Sequence, residues 1–362
     1  MPTVSVRHVP GYDADALYTA VCAHFEALDV EKDLTPDTRV VLKPNLLAGR
    51  DPTLAVTTHP AFLAAILRRL RELGVKHIVI ADSPGGVYTP AALRKIYGVC
   101  GYLPLAELGE LNENTETVHR DGFTLIKAVL DADLIINCPK LKTHGLTVMS
   151  AGVKNLFGCI PGLLKPEQHY LNPNLEDFAN RLLDLAEVVR PAFTFLDAVD
   201  CMEGNGPGGG KVRPMGYTLA SRSVYALDEV AAILMGIRPT LAPVLRQARR
   251  QGLVDPAAIT QIGDPLIPAD PPFLLPDAIT KGERFFSVNG LFHHFFGRKR
   301  TCPVIRPDRC IGCGRCAESC PRHLIDVVDR KAVIVRKGCI ACFCCQEMCP
   351  VHAIDAVRKR AW

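Results

Sequence analysis

The sequence lacks both the long apolar runs and the charge excess that mark two large classes of protein. No apolar stretch approaches the ~18 residues expected of a membrane-spanning helix, and the first residues show no basic segment followed by an apolar one, so no signal peptide is predicted. The net charge is only +4 over 362 residues, which disfavours nucleic-acid binding. We therefore expect a cytoplasmic protein that has neither a membrane nor a nucleic-acid partner.

The sequence also lacks a convincing nucleotide-binding motif. Gly204, Gly206 and Gly209 match G-x-G-x-x-G formally, but Pro214 follows soon after and no helix begins there to bind a phosphate. Gly210 and Lys211 do not complete a P-loop, since the spacing is wrong and valine replaces the required serine or threonine. We interpret the glycine cluster as a flexible loop at the mouth of a site. Flavin, nicotinamide and ATP fingerprints are not found elsewhere.

Cysteine, by contrast, is abundant, and eight of the fifteen cysteines form a motif that occurs twice. Residues 310–321 have the pattern C-x₂-C-x₂-C-x₃-C-P, and residues 339–350 repeat it. Bacterial two-cluster ferredoxins bind iron–sulfur clusters with this run, and the fourth cysteine of each run binds the other cluster. We therefore predict two [4Fe-4S] clusters. The first has the ligands Cys310, Cys313, Cys316 and Cys349; the second has Cys339, Cys342, Cys345 and Cys320.

Zinc is the alternative for these cysteines, because C-x-x-C pairs also build zinc ribbons. The doubled run of eight cysteines, with a proline after each fourth one, favours iron–sulfur clusters instead. Cys302 and Cys344 do not fit the spacing and are predicted to be spare thiols. Between the two runs, residues 323–335 alternate apolar and polar positions and predict a hairpin that turns at 329–331.

Before the cysteine runs, short apolar strands alternate with amphipathic helices. Strands are predicted at 38–43, 75–81, 133–138, 193–199 and 217–221, and helices at 59–73, 174–189 and 224–235. This alternation predicts an α/β fold with a mostly parallel, doubly wound sheet. A small α+β domain of the two-cluster ferredoxin type should follow at the C-terminus.

The composition divides the chain into three parts. We predict an α/β ligand-binding domain at 1–237 and the ferredoxin-like domain at 301–362. The segment 238–300 is rich in proline and is predicted to be a surface connector. Its end, 285–296, contains five phenylalanines and two histidines and is predicted to pack the small domain against the large one.

Polar residues follow the predicted strands one after another. Ligands of open α/β sheets bind beyond the carboxyl ends of the strands, where the strand order reverses. We therefore predict a site that mixes charges, in which lysines receive an anion and carboxylates act as acids or bases. The catalytic candidates are Lys140, Lys142, His144 and Asp82. The candidates for binding a ligand or cofactor are Lys43, Asn45, Ser83, Gly85, Lys154, Asn155 and Glu203. Lys165 and His169 are weaker candidates on a predicted lid-like loop.

These polar segments resemble the family called domain of unknown function 362. The resemblance rests on KPN (43–45), TTHP (57–60), ADSPGG (81–86), NCPKLKTH (137–144), GVKNLFG (152–158) and EGNGP (203–207). It covers roughly residues 4–235, and members commonly carry a C-terminal two-cluster ferredoxin module. The resemblance implies an iron–sulfur cluster-binding protein and assigns no reaction to it.

Three hypotheses about function follow. The first is an oxidoreductase in which the clusters pass electrons to a small anionic substrate or cofactor at the strand ends, with a protein as electron donor or acceptor. The second is a non-enzymatic electron carrier or maturation subunit that docks on another enzyme. The third is a metal- or ligand-binding enzyme in which the clusters only sense redox state or add stability.

Overall fold

The computed structural model describes residues 1–283 and 299–360. The strands are β1 (Thr3–His8), β2 (Arg39–Lys43), β3 (His77–Ile80), β4 (Glu110–Leu111), β5 (Thr117–Arg120), β6 (Phe123–Ile126), β7 (Leu134–Asn137), β8 (Lys140–His144), β9 (Val148–Ser150), β10 (Phe193–Glu203), β11 (Lys211–Ser221), β12 (Thr260–Gly263), β13 (Lys299–Ile305), β14 (Ile325–Val328), β15 (Lys331–Ile334) and β16 (Ile354–Arg360). The helices are α1 (Ala14–Ala27), α2 (Pro60–Glu72), α3 (Pro90–Val99), α4 (Lys127–Leu130), α5 (Gly152–Asn155), α6 (Leu164–Leu171), α7 (Leu175–Val189), α8 (Val224–Leu234), α9 (Pro243–Arg250), α10 (Asp277–Glu283), α11 (Arg315–Glu318) and α12 (Cys344–Glu347). None of the described helices combines the length and the apolar character that crossing a bilayer requires.

One large sheet organises the chain from its first strand to β12. Its strand order is β12-β1-β11-β10-β7-β2-β3-β4, and β8 and β9 extend it beside β10. β10, β7, β2, β3 and β4 are parallel, whereas β11 is antiparallel to both of its neighbours. The sheet is therefore mostly parallel, and the α/β prediction is confirmed.

Helices cover both faces of this sheet, as a doubly wound fold requires. Successive side chains of a strand point to opposite faces, and in β2 Val40 and Leu42 enter one hydrophobic core while Val41 enters the other. The first core contains the apolar sides of α1, α2 and α3, and the second contains those of α7, α8 and α9. Continuous apolar strands such as β7 are typical of sheets that are buried on both faces.

Helix α2 illustrates why the sequence forms these elements where it does. The ring of His59 accepts a hydrogen bond from the backbone N–H of Ala61 at 3.2 Å and so caps the first turn. Pro60 occupies the first turn, where its missing N–H costs nothing. The helix ends before Gly74, which has a φ of +83° that favours glycine.

The structure departs from the sequence predictions in three places. Residues 140–144, expected to follow a strand as part of a polar loop, form β8, which pairs with β10 and β9. Strands β10 and β11 of the large sheet are each longer than predicted. They form a hairpin whose loop, residues 204–210, contains the glycine cluster. The segment expected to be a connector contains α9, and β12 pairs in parallel with β1, so the large sheet continues beyond residue 237.

The small domain follows the ferredoxin pattern. β13 pairs with β16, and β14 pairs with β15 in the hairpin predicted between the two cysteine runs. Asp329 and Arg330 form the turn and both have positive φ values, of 49° and 59°, as a two-residue hairpin turn requires. The segment 285–296, with its predicted packing role, lies outside the described residues.

The small domain contacts the large one through α12 and the residues that follow it. Arg50 donates hydrogen bonds to the backbone oxygens of Cys349 at 3.3 Å and Pro350 at 3.4 Å. Met348 lies against Gly85, where a Cβ would come within 2.5 Å of its sulfur. These contacts place the second cysteine run beside the carboxyl ends of the strands.

Candidate functional site

The strand order reverses between β2 and β7, and the candidate site lies there. From β2 the chain proceeds to β3 and β4 on one side, whereas β7 is followed by β10 on the other. Lys43 and Asn137 end these two neighbouring strands and are paired in register. The cleft that opens beyond them encloses about 710 Å³ of space, part of which is open to solvent.

We call this cleft the lysine cavity, because three lysines line it. Most of the predicted site residues border it: Asn45, Asp82, Ser83, Gly85, Lys142, His144, Lys154 and Asn155. The small domain supplies part of its wall through Ser319, Cys344, Glu347 and Met348. The cavity is therefore formed by both domains, which the sequence did not predict.

Asp82 forms a buried ion pair beneath the cavity. Its Oδ1 lies 2.7 Å from the Nζ of Lys43, and its Oδ2 accepts a hydrogen bond of 2.8 Å from the N–H of Leu46. Gly158 permits this arrangement, because a Cβ there would lie 2.0 Å from the carboxylate and 2.7 Å from the Lys43 Nζ. Both oxygens of Asp82 are therefore already engaged, which gives this carboxylate a structural role.

Amide side chains connect Lys142 to the ends of the central strands. The Nζ of Lys142 donates to the Oδ1 of Asn45 at 2.7 Å, and the amide of Asn45 donates to Asn155 at 2.9 Å. Asn155 in turn donates to Asn137 at 2.8 Å. Burial lowers the pKa of Lys142 to about 7. This lysine can therefore gain or lose a proton near neutral pH.

Lys165 lies on α6 and faces the loop that follows β3. Its Nζ donates to the backbone oxygen and the hydroxyl of Ser83, at 2.8 Å and 3.1 Å. The Ser83 hydroxyl also accepts a hydrogen bond of 2.7 Å from the N–H of Gly162. Burial lowers the pKa of Lys165 to about 7. This weaker candidate of the sequence analysis thus lines the cavity.

Lys154 is the cavity lysine whose ammonium group is free to bind an anion. Its Nζ lies 4.2 Å from the ring centroid of Phe157, and among the described residues it has neither a hydrogen bond nor an ion pair. Burial lowers its pKa, while the charge of Glu347 acts in the opposite direction. A half-buried cation with neither a hydrogen bond nor an ion pair is costly. An anion entering the cavity would compensate it.

Two further polar groups face the cavity without a side-chain hydrogen bond to any described residue. Ser150 is the cross-strand neighbour of Lys142 in the β8–β9 pair. His169 stacks on Phe178 with 4.1 Å between the ring centroids and contacts the edge of Phe157. Burial lowers the pKa of His169 to about 3, so its ring is neutral at physiological pH.

The hydrogen bonds of His144 assign its tautomer. Its Nδ1 accepts from the N–H groups of Leu146 at 3.1 Å and Thr147 at 3.3 Å, so the proton is on Nε2. Nε2 then donates to Glu347 across the domain boundary, at 3.2 Å. Burial, assisted by the charge of Lys154, holds the pKa of His144 well below its usual value. His144 therefore joins the two domains as a neutral donor.

Three predicted site residues, Lys43, Lys140 and Glu203, do not line the cavity, and Lys43 pairs with Asp82 beneath it. Lys140 forms a buried ion pair with Asp197 at 2.9 Å and donates to the hydroxyl of Tyr12 at 2.6 Å. Glu203 pairs with Arg213 at 2.8 Å. Lys140 and Lys142 are both buried, but a register irregularity separates the two places where β8 meets β10. The side chains consequently enter different surroundings.

The eight motif cysteines surround two smaller cavities, four cysteines at each. The grouping matches the prediction that the fourth cysteine of each run binds the cluster of the other run. A cavity of about 330 Å³ is lined by Cys310, Cys313, Cys316 and Cys349, which we call the outer cysteine site. A second cavity, of about 340 Å³, is lined by Cys320, Cys339, Cys342 and Cys345, which we call the inner cysteine site. Each brings together three cysteines of one run and the fourth cysteine of the other.

The surroundings of these cysteines suit iron–sulfur clusters. Backbone N–H groups donate to Cys310 at 3.3 Å and Cys349 at 3.1 Å in the outer site, and to Cys320 and Cys339 at 3.4 Å in the inner site. Hydrogen bonds to the sulfurs are among the factors that set cluster potentials. Among the described residues, no three His, Cys, Asp or Glu side chains converge on a point that would hold a single metal ion. The four thiols of each site surround a cavity, as ligands of a multi-iron cluster do.

The fold and the cysteine sites define a class: an α/β protein joined to a ferredoxin-type iron–sulfur domain. The chain belongs to the family described as domain of unknown function (DUF362), whose model matches residues 40–233. The model of a 4Fe-4S dicluster domain matches residues 302–350. The resemblance drawn from the sequence motifs is thus confirmed, as is iron–sulfur binding by the C-terminal domain.

A curated relative is the thylakoid-associated protein sll1697 of Synechocystis sp. (strain ATCC 27184 / PCC 6803 / Kazusa). It is 34% identical over 266 residues, which cover 71% of this chain and 81% of that protein. Two solved structures show a partial likeness. A Thermotoga maritima protein is 13% identical with a TM-score of 0.35, and the match covers 57% of this chain and 55% of that one. The lactate racemase apoprotein of Thermoanaerobacterium thermosaccharolyticum is 15% identical with a TM-score of 0.38, and the match covers 59% of this chain and 53% of that one. The chain spans little more than half of either structure, and likenesses this partial support no conclusion about function.

Proposed function

We propose that this chain is a cytoplasmic oxidoreductase that exchanges electrons between two [4Fe-4S] clusters and a small anionic ligand bound in the lysine cavity. The single observation that carries the proposal is that Ser319 borders both the inner cysteine site and the lysine cavity. The clusters, when bound, supply one-electron transfer. The cavity residues bind and orient the ligand and provide protons.

The charge of the cavity supports an anionic ligand. Lys142, Lys154 and Lys165 line it, whereas Asp82 is paired with Lys43. Glu347 remains as the other carboxylate of the lining, and burial raises its pKa. The balance is positive whenever the lysines are protonated. An anion with oxygen acceptors would meet Lys154 and the unpartnered groups of Ser150 and His169.

We expect Lys154→Met to abolish oxidation of the reduced protein by its anionic substrate, because the variant removes the one cavity ammonium without a direct partner. The full chain would be reconstituted anaerobically, reduced with dithionite and mixed with a panel of small organic and inorganic anions. Reoxidation would be followed by the return of visible absorption. The matched control is Lys95→Met, which removes an exposed lysine on α3.

Two outcomes would contradict this prediction in different ways. If Lys154→Met were reoxidised by an anion as fast as Lys95→Met, the lysine cavity would not be the site. If no anion reoxidised the protein while a protein acceptor did so at full rate in both variants, the chain would be a carrier or maturation subunit. Cell fractionation of the tagged chain would test the cytoplasmic location.

Anion affinity should fall as the pH rises through about 7. Burial lowers the pKa of Lys142 and of Lys165 to about 7, so each is charged below that pH and loses its charge above it. Acetate, a monoanion across this range, is a suitable probe, and its binding can be measured by NMR line broadening between pH 6 and 8.5. Lys142→Met should flatten this profile only in part, because Lys165 still loses its charge near pH 7, whereas Lys95→Met should leave it unchanged. A profile that is flat in the unmodified protein would contradict the assignment.

A further inference from the structure

The two cysteine sites face different surroundings. In the outer cysteine site Cys313 is exposed, and it is the one exposed cysteine of the fifteen in the chain. Ile311 and Val351, which line the same cavity, are 56% and 36% exposed. A cluster held here would therefore lie just beneath the protein surface.

The inner cysteine site faces the lysine cavity instead. Ser319, which precedes Cys320, lines both cavities and is 2% exposed. Cys344, which precedes Cys345, also lines the lysine cavity. A ligand in that cavity would therefore be separated from the inner site by about one layer of side chains.

A short segment joins the two sites. Helix α11 leads from Cys316 of the outer site to Cys320 of the inner site, and the hydroxyl of Ser319 donates to the backbone oxygen of Cys316 at 3.2 Å. The chain thus holds the outer site with the exposed Cys313, the inner site with no exposed cysteine, and the ligand cavity in that spatial order.

We propose that the two cysteine sites act in a fixed order: the outer site exchanges electrons with an external one-electron carrier protein, and the inner site exchanges them with the ligand in the lysine cavity. This inference rests on the proposed function and specifies its electron path. Electron transfer slows steeply with distance. The carrier protein therefore docks at the exposed Cys313 side of the outer site, and the ligand exchanges electrons with the inner site at the Ser319 side. Each step moves one electron, so a ligand that takes two receives them one after the other.

The first test measures how accessible each cluster is from solution. Cys313→Ser alters the outer site and Cys342→Ser alters the inner site at the equivalent position of its run, so the unaltered electron paramagnetic resonance signal of each reduced variant belongs to the other site. A water-soluble dysprosium–EDTA complex enhances the relaxation of clusters near the surface. We expect a several-fold larger enhancement for the outer site, and an equal or reversed enhancement would overturn the proposed order. If a variant loses its altered cluster entirely, the remaining cluster still gives the comparison.

The second test uses charges and leaves every cysteine in place. Lys154→Met removes a positive charge from the lysine cavity and should lower the midpoint potential of the inner site more than that of the outer site, because the interaction weakens with distance. Ile311→Lys adds a positive charge beside Cys313 and should raise the potential of the outer site more. Equal shifts of both potentials in the two variants would overturn the assignment.

These tests separate the electron path from the proposed function. Relaxation and potentials are measured without a substrate, so they can support the order of the sites even if no anion reoxidises the protein. Conversely, an anion that reoxidises the protein while Lys154→Met shifts mainly the outer potential would support the function and overturn the order.

Discussion

Asp197→Asn should destabilise the α/β domain by about 3–5 kcal/mol, because it removes one partner of a buried ion pair and leaves Lys140 charged in the interior. Both side chains are fully buried, and their closest atoms, Nζ and Oδ2, are 2.9 Å apart. Asp197 also accepts hydrogen bonds from the Tyr12 hydroxyl and from the N–H of His59, each at 2.9 Å. It therefore connects β10 to the start of α2.

Urea unfolding followed by circular dichroism would measure this loss. The matched control is Glu113→Gln, which removes one partner of the exposed Arg94–Glu113 pair and should change stability far less, since exposed ion pairs contribute little. The double variant Lys140→Met, Asp197→Leu should recover part of the loss, because it removes both charges. The interpretation fails if Asp197→Asn is no more destabilising than Glu113→Gln.

Removal of iron should unfold the small domain and leave the large sheet folded. The buried core of the small domain consists of Cys316, Ile325, Ala332, Cys345, Cys349, Ala353 and Ile354. Three of these seven are cysteines of the two sites, and the rest bury little apolar area. Domains with so small a core depend on their metal for stability.

Hydrogen exchange with mass spectrometry would detect this unfolding after anaerobic chelation. We expect peptides from 301–358 to lose their protection, while peptides from α7 remain protected as an internal control. The lysine cavity would also lose the wall formed by Glu347 and Met348, so binding of acetate should weaken in the same sample. Unchanged protection of 301–358 without iron would show that protein contacts alone hold this domain together.

Much of the fold could be predicted because its signals are local. The apolar runs of β2, β3 and β7 and the amphipathic patterns of α2 and α7 identify these elements within about two residues. Residues 140–144 were harder, because lysines and a histidine inside a strand contradict the apolar pattern of a buried strand. They form β8 because the backbone of β10 pairs with them. The two buried lysines are also accommodated, since Lys140 pairs with Asp197 and Lys142 donates a hydrogen bond to Asn45 at the lysine cavity.

The candidate site was predicted in outline only. The position of polar residues at strand ends indicated the switch point, but it could not distinguish Lys142, which faces the cavity, from Lys140, which pairs with Asp197. These lysines are two residues apart, and nothing in their local sequence separates them. His169 and Lys165 lie on α6, far from the strand ends in sequence, and only packing brings them to the cavity.

By itself, the sequence determined the eight cysteines and their crossover grouping, because the spacing of a ligand loop is a local property of the chain. It also determined that the large domain is a mostly parallel α/β sheet, since the spacing of apolar residues indicates which faces of the helices and strands are buried. Only the tertiary structure decided that α12 closes the lysine cavity, that Ser319 stands between that cavity and the inner cysteine site, and that Cys313 faces the surface. The physical reason is that these relations join residues hundreds of positions apart, and their packing depends on the whole folded chain.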